Sequence, residues 1–178
     1  MTDRTQRERF ERLILAHLDA AYELARWLTR NDHDAEDVVQ EACLKAFRHF
    51  GGFRGDNPRA WLLAIVRNAC FTWIERNRPP QMVAAPLEGA AEAASQAAGP
   101  SALAATESAM VAVADGALAM RLLEELPAEF REVLVLREMQ DLSYREIATV
   151  IGVPEGTVMS RLARARARLR RLWQERTA

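Results

Sequence analysis

The chain has 178 residues, with 24 Lys+Arg against 25 Asp+Glu for a formal net charge of −1, 49% hydrophobic residues and two cysteines. That length suits one medium domain or two small ones, and the hydrophobic fraction is ample for a buried core. The longest apolar runs, 62–66 and 109–114, fall far short of the about 20 residues a membrane helix needs. They predict no membrane insertion, and the near-zero net charge excludes a uniformly basic nucleic-acid coat.

Composition divides the chain into three segments. Residues 1–78 carry 13 Lys+Arg, 12 Asp+Glu and 9 of the 12 aromatics. Residues 79–118 carry no Lys or Arg, four acids, no aromatics and 15 of the 32 alanines. Residues 119–178 carry 11 Lys+Arg and 9 Asp+Glu. The expected fold is all-α: two small helical modules, 1–78 and 119–178, joined by an Ala-rich flexible linker at 79–118.

At the N-terminus, MTDRTQRERFER is charged throughout, which predicts no secretory signal and a protein that stays in the cytoplasm. Phe10, Leu13, Ile14, His17, Leu18, Ala21, Leu24, Ala25 and Leu28 recur at helical spacing and predict one helix over 6–30, with His17 as a core histidine. A second helix fits 34–50, with Val38, Val39, Ala42, Ala46 and Phe47 on its inner stripe. Gly51, Gly52 and Gly55 break it. Asn57 is an N-cap and Pro58 a first helical residue, which starts a third helix running to about Asn77. Its stripe is Leu62, Ile65, Ala69 and Trp73. The middle segment has too little large apolar surface to order itself. As a 40-residue coil it would reach about 35 Å, enough to let the modules sit apart. Near the C-terminus, Ser143 and Glu146 form a capping box opening a short helix with Tyr144, Ile147, Ala148 and Ile151 on one face. Gly152 and Pro154 stop it. A last helix fits 155–172, with Val158, Leu162, Ala165, Leu169 and Leu172 as its buried stripe.

Three constellations bear on function. The C-terminal pair of helices has the pattern of a helix-turn-helix, and its second helix turns Thr157, Ser160, Arg161, Arg164, Arg168 and Arg171 away from the core stripe. From Gly156 onward there are seven Arg against Glu175. Such a helix fits the DNA major groove, with Arg161 and Arg164 near enough to its start to reach bases and Arg168 and Arg171 on phosphate. A second cluster, Asp32, Asp34, Glu36, Asp37 and Glu41, suits a helix N-terminus. It reads either as a solvated helix start or as a docking face for a basic protein. The third interleaves Phe53, Trp61, Phe71 and Trp73 with Arg54, Arg59, Arg67, Arg76 and Arg78. Rings beside guanidiniums suit unpaired DNA, because bases stack on rings while cations follow the backbone. Trp73 and Trp61 are assigned largely to packing, whereas Phe53, Arg54, Arg67 and Asn68 are expected to face a ligand. No His or Cys stands at metal-ligand spacing and no glycine-rich phosphate loop is present, so no catalytic residue, metal or cofactor is expected.

These motifs together resemble the sigma factors of bacterial RNA polymerase, of the small extracytoplasmic-function (ECF) type. DAEDVVQEACLKAF is similar to the polymerase-binding helix of sigma region 2, RAWLLAIVRNAC to the segment that melts and reads the minus-10 element, and residues 125–169 to region 4, which binds the minus-35 element. The resemblance implies a non-enzymatic initiation factor. Asp34, Glu36, Asp37, Gln40 and Glu41 would meet the clamp helices of the largest polymerase subunit, and the flap is a further contact. Phe53, Arg54, Asp56, Trp61, Arg67, Asn68 and Arg76 would serve minus-10 DNA, the loop from Phe53 to Asp56 holding a flipped base. An anti-sigma factor and double-stranded and melted promoter DNA are the other implied partners. Thr72, Glu75 and Met159 depart from the family pattern, which bears on the minus-10 base preference and on one phosphate contact. A LuxR-like regulator, whose recognition helix GTVMSRL also resembles, and a protein-interaction adaptor are the alternatives.

Overall fold

The first apolar stripe is carried by two helices, α1 (Asp3–Ile14) and α2 (Leu18–Thr29), joined by a 3-10 turn at Leu15–His17. The expected single helix is therefore cut. The tighter turn lets Phe10 and Ile14 pack inward on one side while Ala21, Leu24, Ala25 and Leu28 pack on another. His17 is half-buried beside the cut, and burial together with the Arg59 charge lowers its imidazole from the usual value. This is the computed structural model of the chain, and it describes residues 3–77 and 116–177. The linker reading of 79–115 lies outside the described residues.

Arg30 takes a left-handed conformation, φ 62°, to end α2. The Asn31 side chain then accepts the Asp34 N–H at 3.1 Å and caps α3 (Asp32–His49), two residues earlier than the spacing predicted. A 3-10 turn at Phe50–Gly52 closes α3. Asn57 Oδ1 accepts the Ala60 N–H at 2.9 Å and starts α4 (Pro58–Asn77). Buried alanines at 21, 25, 35, 42, 46, 60 and 69 let α2, α3 and α4 approach closely. Phe47 departs from the expected inner stripe: it is 38% exposed, its ring edge-on to Phe10 at 5.1 Å.

The C-terminal part comprises α5 (Gly116–Glu125), α6 (Ala128–Leu134), a π turn at Val135–Met139, α7 (Tyr144–Ile151) and α8 (Glu155–Thr177). Helix α5 starts at Gly116, inside the segment read as linker. Val158, Leu162 and Ala165 are buried as expected, and Leu169 and Leu172 are half-buried. Among the described residues there is no strand.

The modules do not sit apart. Buried apolar residues of both form one contiguous cluster, from Phe10 and Leu24 through Leu63 and Val66 to Leu136, Ile147 and Val158. Apolar side chains surround α4, so it can be buried on both sides: α2 and α3 on one, α7 on the other. Sequence periodicity picks out one stripe per helix, and for this reason it identified Leu62 and Ala69 but not Leu63, Val66 and Ile74, all buried as well.

Candidate nucleic-acid interface

The helix-turn-helix is built as its residues predict. Ser143 Oγ accepts the Glu146 N–H at 3.3 Å, and Glu146 Oε2 accepts the Ser143 N–H at 2.8 Å. Those bonds hold the Glu146 carboxyl below the usual carboxylate range, the backbone N–H of Ser143 contributing most. Gly152 ends α7 at φ 71°, a conformation that strains any side chain with a Cβ. Its N–H and that of Val153 both donate to the Ala148 carbonyl, at 2.9 and 3.2 Å. Pro154 follows, and α8 leaves at an angle.

On α8, Ser160 and Arg168 are exposed and Thr157 is half-buried. Arg164 is half-buried and lies along its own helix, its Nε 3.4 Å from the Ser160 carbonyl. Exposed Arg171 pairs with Glu175 at 2.9 Å. Arg161 departs from an outward reading: its side chain is 16% exposed and its Nη1 lies 3.6 Å from Glu132. Arg166, which the spacing did not single out, donates to Glu138 at 2.7 Å.

The aromatic and arginine residues of the first module divide differently from the expectation. Phe53 departs from the exposed placement expected of it: it is 6% exposed and stacks on Phe50 at 6.0 Å, so its ring packs largely in the core. A turn that brings the loop back over α4 forces this, with half-buried Trp61 tilted on Phe53 at 4.9 Å. Arg54 and Asp56 are exposed at the loop tip, Arg54 donating to the Gly51 carbonyl at 3.0 Å. Asn68 and Arg76 are exposed on α4. Arg67 is turned inward: its Nε donates to Glu132 at 2.8 Å and its guanidinium lies 4.1 Å above the Phe71 ring.

The loop and α4 face α7 across a cavity of about 720 Å³, lined by residues 52–57, Ala60, Trp61 and Ala64 from the first module and Arg145, Glu146 and Thr149 from the second. Hydrogen bonds cross beside it. Asn57 Nδ2 donates to Glu146 at 2.8 Å. Arg59 donates to the Gln140 backbone carbonyl at 2.7 Å and to its side-chain oxygen at 2.6 Å, and Gln140 in turn donates to Glu23. Glu132 itself is fully buried. Burial pushes its carboxyl above the usual range, against the pull of Arg67 and Arg161.

Sequence reasoning missed Glu132 and Gln140. For Glu132 a signal existed: an acid with Ala128 four residues before and Val135 and Leu136 three and four after stands on an apolar stripe, where a charge needs a partner.

The acidic cluster lies on α3, with Glu36, Asp37, Gln40 and Glu41 exposed and Asp34 half-buried. Glu41 pairs with Lys45 at 2.7 Å, which lowers its carboxyl below the usual range. Leu44 continues this face at 56% exposure. Acids beside an uncovered leucine go beyond what a helix start requires. Among the described residues no three His, Cys, Asp or Glu side chains gather as metal ligands, and no helix is long and apolar enough to cross a membrane.

Residues 13–79 match the family "Sigma-70 region 2" and residues 117–169 match "Sigma-70, region 4". The chain is 38% identical over 165 residues to the ECF RNA polymerase sigma factor SigM of Mycobacterium tuberculosis, covering 92% of this chain and 76% of that one. It is 36% identical over 136 residues to the ECF RNA polymerase sigma-E factor of Escherichia coli K12, covering 75% of this chain and 70% of that one. Among solved structures it is similar to the sigma factor RpoE from Bartonella quintana, crystallised with the anti-sigma factor NepR. That likeness has a TM-score of 0.67 and 28% identity, and covers 94% of this chain and 98% of that one. CnrH, solved in complex with the cytosolic domain of CnrY, is similar at a TM-score of 0.64 and 28% identity, covering 95% and 90%. With its all-helical fold and capped helix-turn-helix, the chain belongs to the ECF sigma factors of the sigma-70 family.

Proposed function

We propose that this chain joins core RNA polymerase and directs it to two-part promoters, α3 serving the polymerase, the 53–57 loop and α4 serving minus-10 DNA, and α8 serving the minus-35 element. The observation that carries this reading is the presence on one chain of two unlike surfaces: an acidic stripe with exposed Leu44 on α3, and an arginine-bearing helix behind a capped turn. The first suits a basic protein surface. The second suits the major groove, where helix-terminal amides and guanidiniums meet phosphate and Arg pairs with guanine. A stand-alone helix-turn-helix regulator would leave the α3 stripe without a role, and an adaptor would leave the arginines of α8 without one.

The chain's own residues supply binding and positioning, and the polymerase supplies the chemistry of RNA synthesis. Arg54, Asp56, Trp61, Asn68 and Arg76 offer stacking, hydrogen bonding and charge to unstacked bases, which favours melted over paired DNA. The division into region 2 at 1–78, a linker at 79–118 and region 4 at 119–178 belongs to the same proposal, with the fourth region's helices extended back to Gly116. An anti-sigma partner follows by analogy with the two solved complexes, and a place on the nucleoid follows from the DNA partner.

The test is run-off transcription with purified core polymerase and the full chain on genomic fragments. Discrete start sites are expected, and a complete lack of initiation refutes the reading. Asp37→Arg should weaken binding to core polymerase at least tenfold, leaving binding of the free chain to minus-35 duplex DNA unchanged.

A further inference from the structure

The first turns of α8 offer the major groove a different set of side chains from the one its arginines suggest. Arg161 lies on the flank turned toward α6, with its Nη1 3.6 Å from buried Glu132. A buried carboxylate holds its cations, because releasing one leaves its charge short of neutralisation. Arg161 is therefore committed to the packing of α8 on α6, and its fork is not presented to a base edge. On the other flank Arg166 is tied to Glu138 at 2.7 Å.

Between these flanks Gly156, Met159, Ser160 and Ala163 are exposed. Standing three and four residues apart, they share one face. A Cβ at Gly156 would meet nothing within 4 Å, so the start of this edge is uncovered. The four residues carry no charge. The Ser160 hydroxyl donates to the Thr157 carbonyl at 3.0 Å, which leaves its oxygen as an acceptor. Met159 is the largest side chain of the four, 47% exposed, and it takes no part in the apolar cluster beneath α8.

In the major groove thymine presents an apolar group to the protein, its C5 methyl. An unbranched thioether adapts to such a group, and packing against it takes carbon on both partners out of water. We infer that Met159, with Ala163 one turn on, sets the minus-35 specificity of this chain by packing on a thymine methyl, while Arg161 is a positioning residue that reaches no base. The inference rests on the proposed minus-35 role of α8. Arg164 and Arg168, along one side of the same edge, are left to guanine or phosphate.

The experiment selects duplexes from a random DNA library with the full chain, then replaces each thymine of the selected sequence singly by deoxyuridine, which lacks the methyl and pairs alike. At one position the native chain is expected to lose affinity about fourfold, the effect of one buried methyl. Met159→Ala should bind the thymine and deoxyuridine duplexes equally, and Met159→Leu should keep the difference. Met159→Lys should lose it and steepen the salt dependence by about one phosphate contact. Arg161→Lys, which retains a cation for Glu132, should select the same sequence as the native chain. Indifference of the native chain to every deoxyuridine, or an undiminished methyl dependence in Met159→Ala, overturns the role of Met159. A changed selected sequence in Arg161→Lys overturns that of Arg161, and a selection that enriches nothing overturns base reading by α8 altogether. Run-off transcription is read separately: a lack of initiation beside intact methyl dependence refutes the sigma reading and leaves this one standing.

Discussion

Asn57 has two roles that one substitution series can separate. Its Oδ1 caps α4 through the Ala60 N–H at 2.9 Å, and its Nδ2 donates to Glu146 across the module boundary at 2.8 Å. Asn57→Ser keeps a good cap but is too short to reach Glu146, and Asn57→Ala loses both. A cap is worth about 1 kcal/mol. A hydrogen bond to a charged acceptor is worth about 1.5–3 kcal/mol, and the lower end applies at a half-exposed site. Urea unfolding of the full chain, followed by circular dichroism, should therefore show losses of about 1.5 kcal/mol for Ser and about 2.5 kcal/mol for Ala. The pH dependence is a further check. The folded-state value of Glu146 is lowered, so its stabilisation is complete above the unfolded value of about 4.3 and is lost as pH falls through the folded value. The gap between native and Asn57→Ser should close over that acid window. If Asn57→Ser matches the native chain at neutral pH, the Asn57–Glu146 bond contributes nothing and docking rests on the apolar cluster and the remaining polar contacts, Arg59–Gln140 and Arg67–Glu132 among them.

Leu62→Ala, at a fully buried position in α4, should cost about 2–5 kcal/mol in the same unfolding assay. Arg168→Ala, on the exposed face of α8, should weaken duplex binding to all sequences alike and reduce the salt dependence by about one phosphate contact; a sequence-selective loss would contradict its placement on phosphate. Arg161→Ala should lower stability in the urea assay, because it strips a cation from buried Glu132; an unchanged midpoint would refute that pairing. Burial pushes the Cys70 thiol up to about 12 and raises that of half-buried Cys43 as well. A thiol-titrating reagent at neutral pH should modify Cys43 slowly and Cys70 only after denaturant is added.

The local elements were readable because their causes are local. Asn57, Ser143 with Glu146, and Gly152 carry caps and a turn that need no distant partner, and each stands where spacing put it. The α8 stripe was readable for the same reason in its first half. What periodicity could not show was a second buried side. Apolar residues all round α4 look like a weak pattern, yet they are what a helix between two layers requires. The break at Leu15–His17 was hidden because a 3-10 turn changes the pitch without changing the composition. The same limit explains the site residues that moved. Phe53 and Arg67 were read outward from their neighbours in sequence, and their positions are set by Phe50 and Glu132, one of them 65 residues away. Family likeness shows the family but carries no information on whether two surfaces cover one another.

The contiguous apolar cluster has a thermal consequence. Parting the modules exposes carbon to water, so the step carries a positive heat capacity change, and the apolar share of its cost shrinks on cooling. The open population of the free chain should therefore rise in the cold well before either module melts. Temperature alone would then shift how much of the chain has its modules apart.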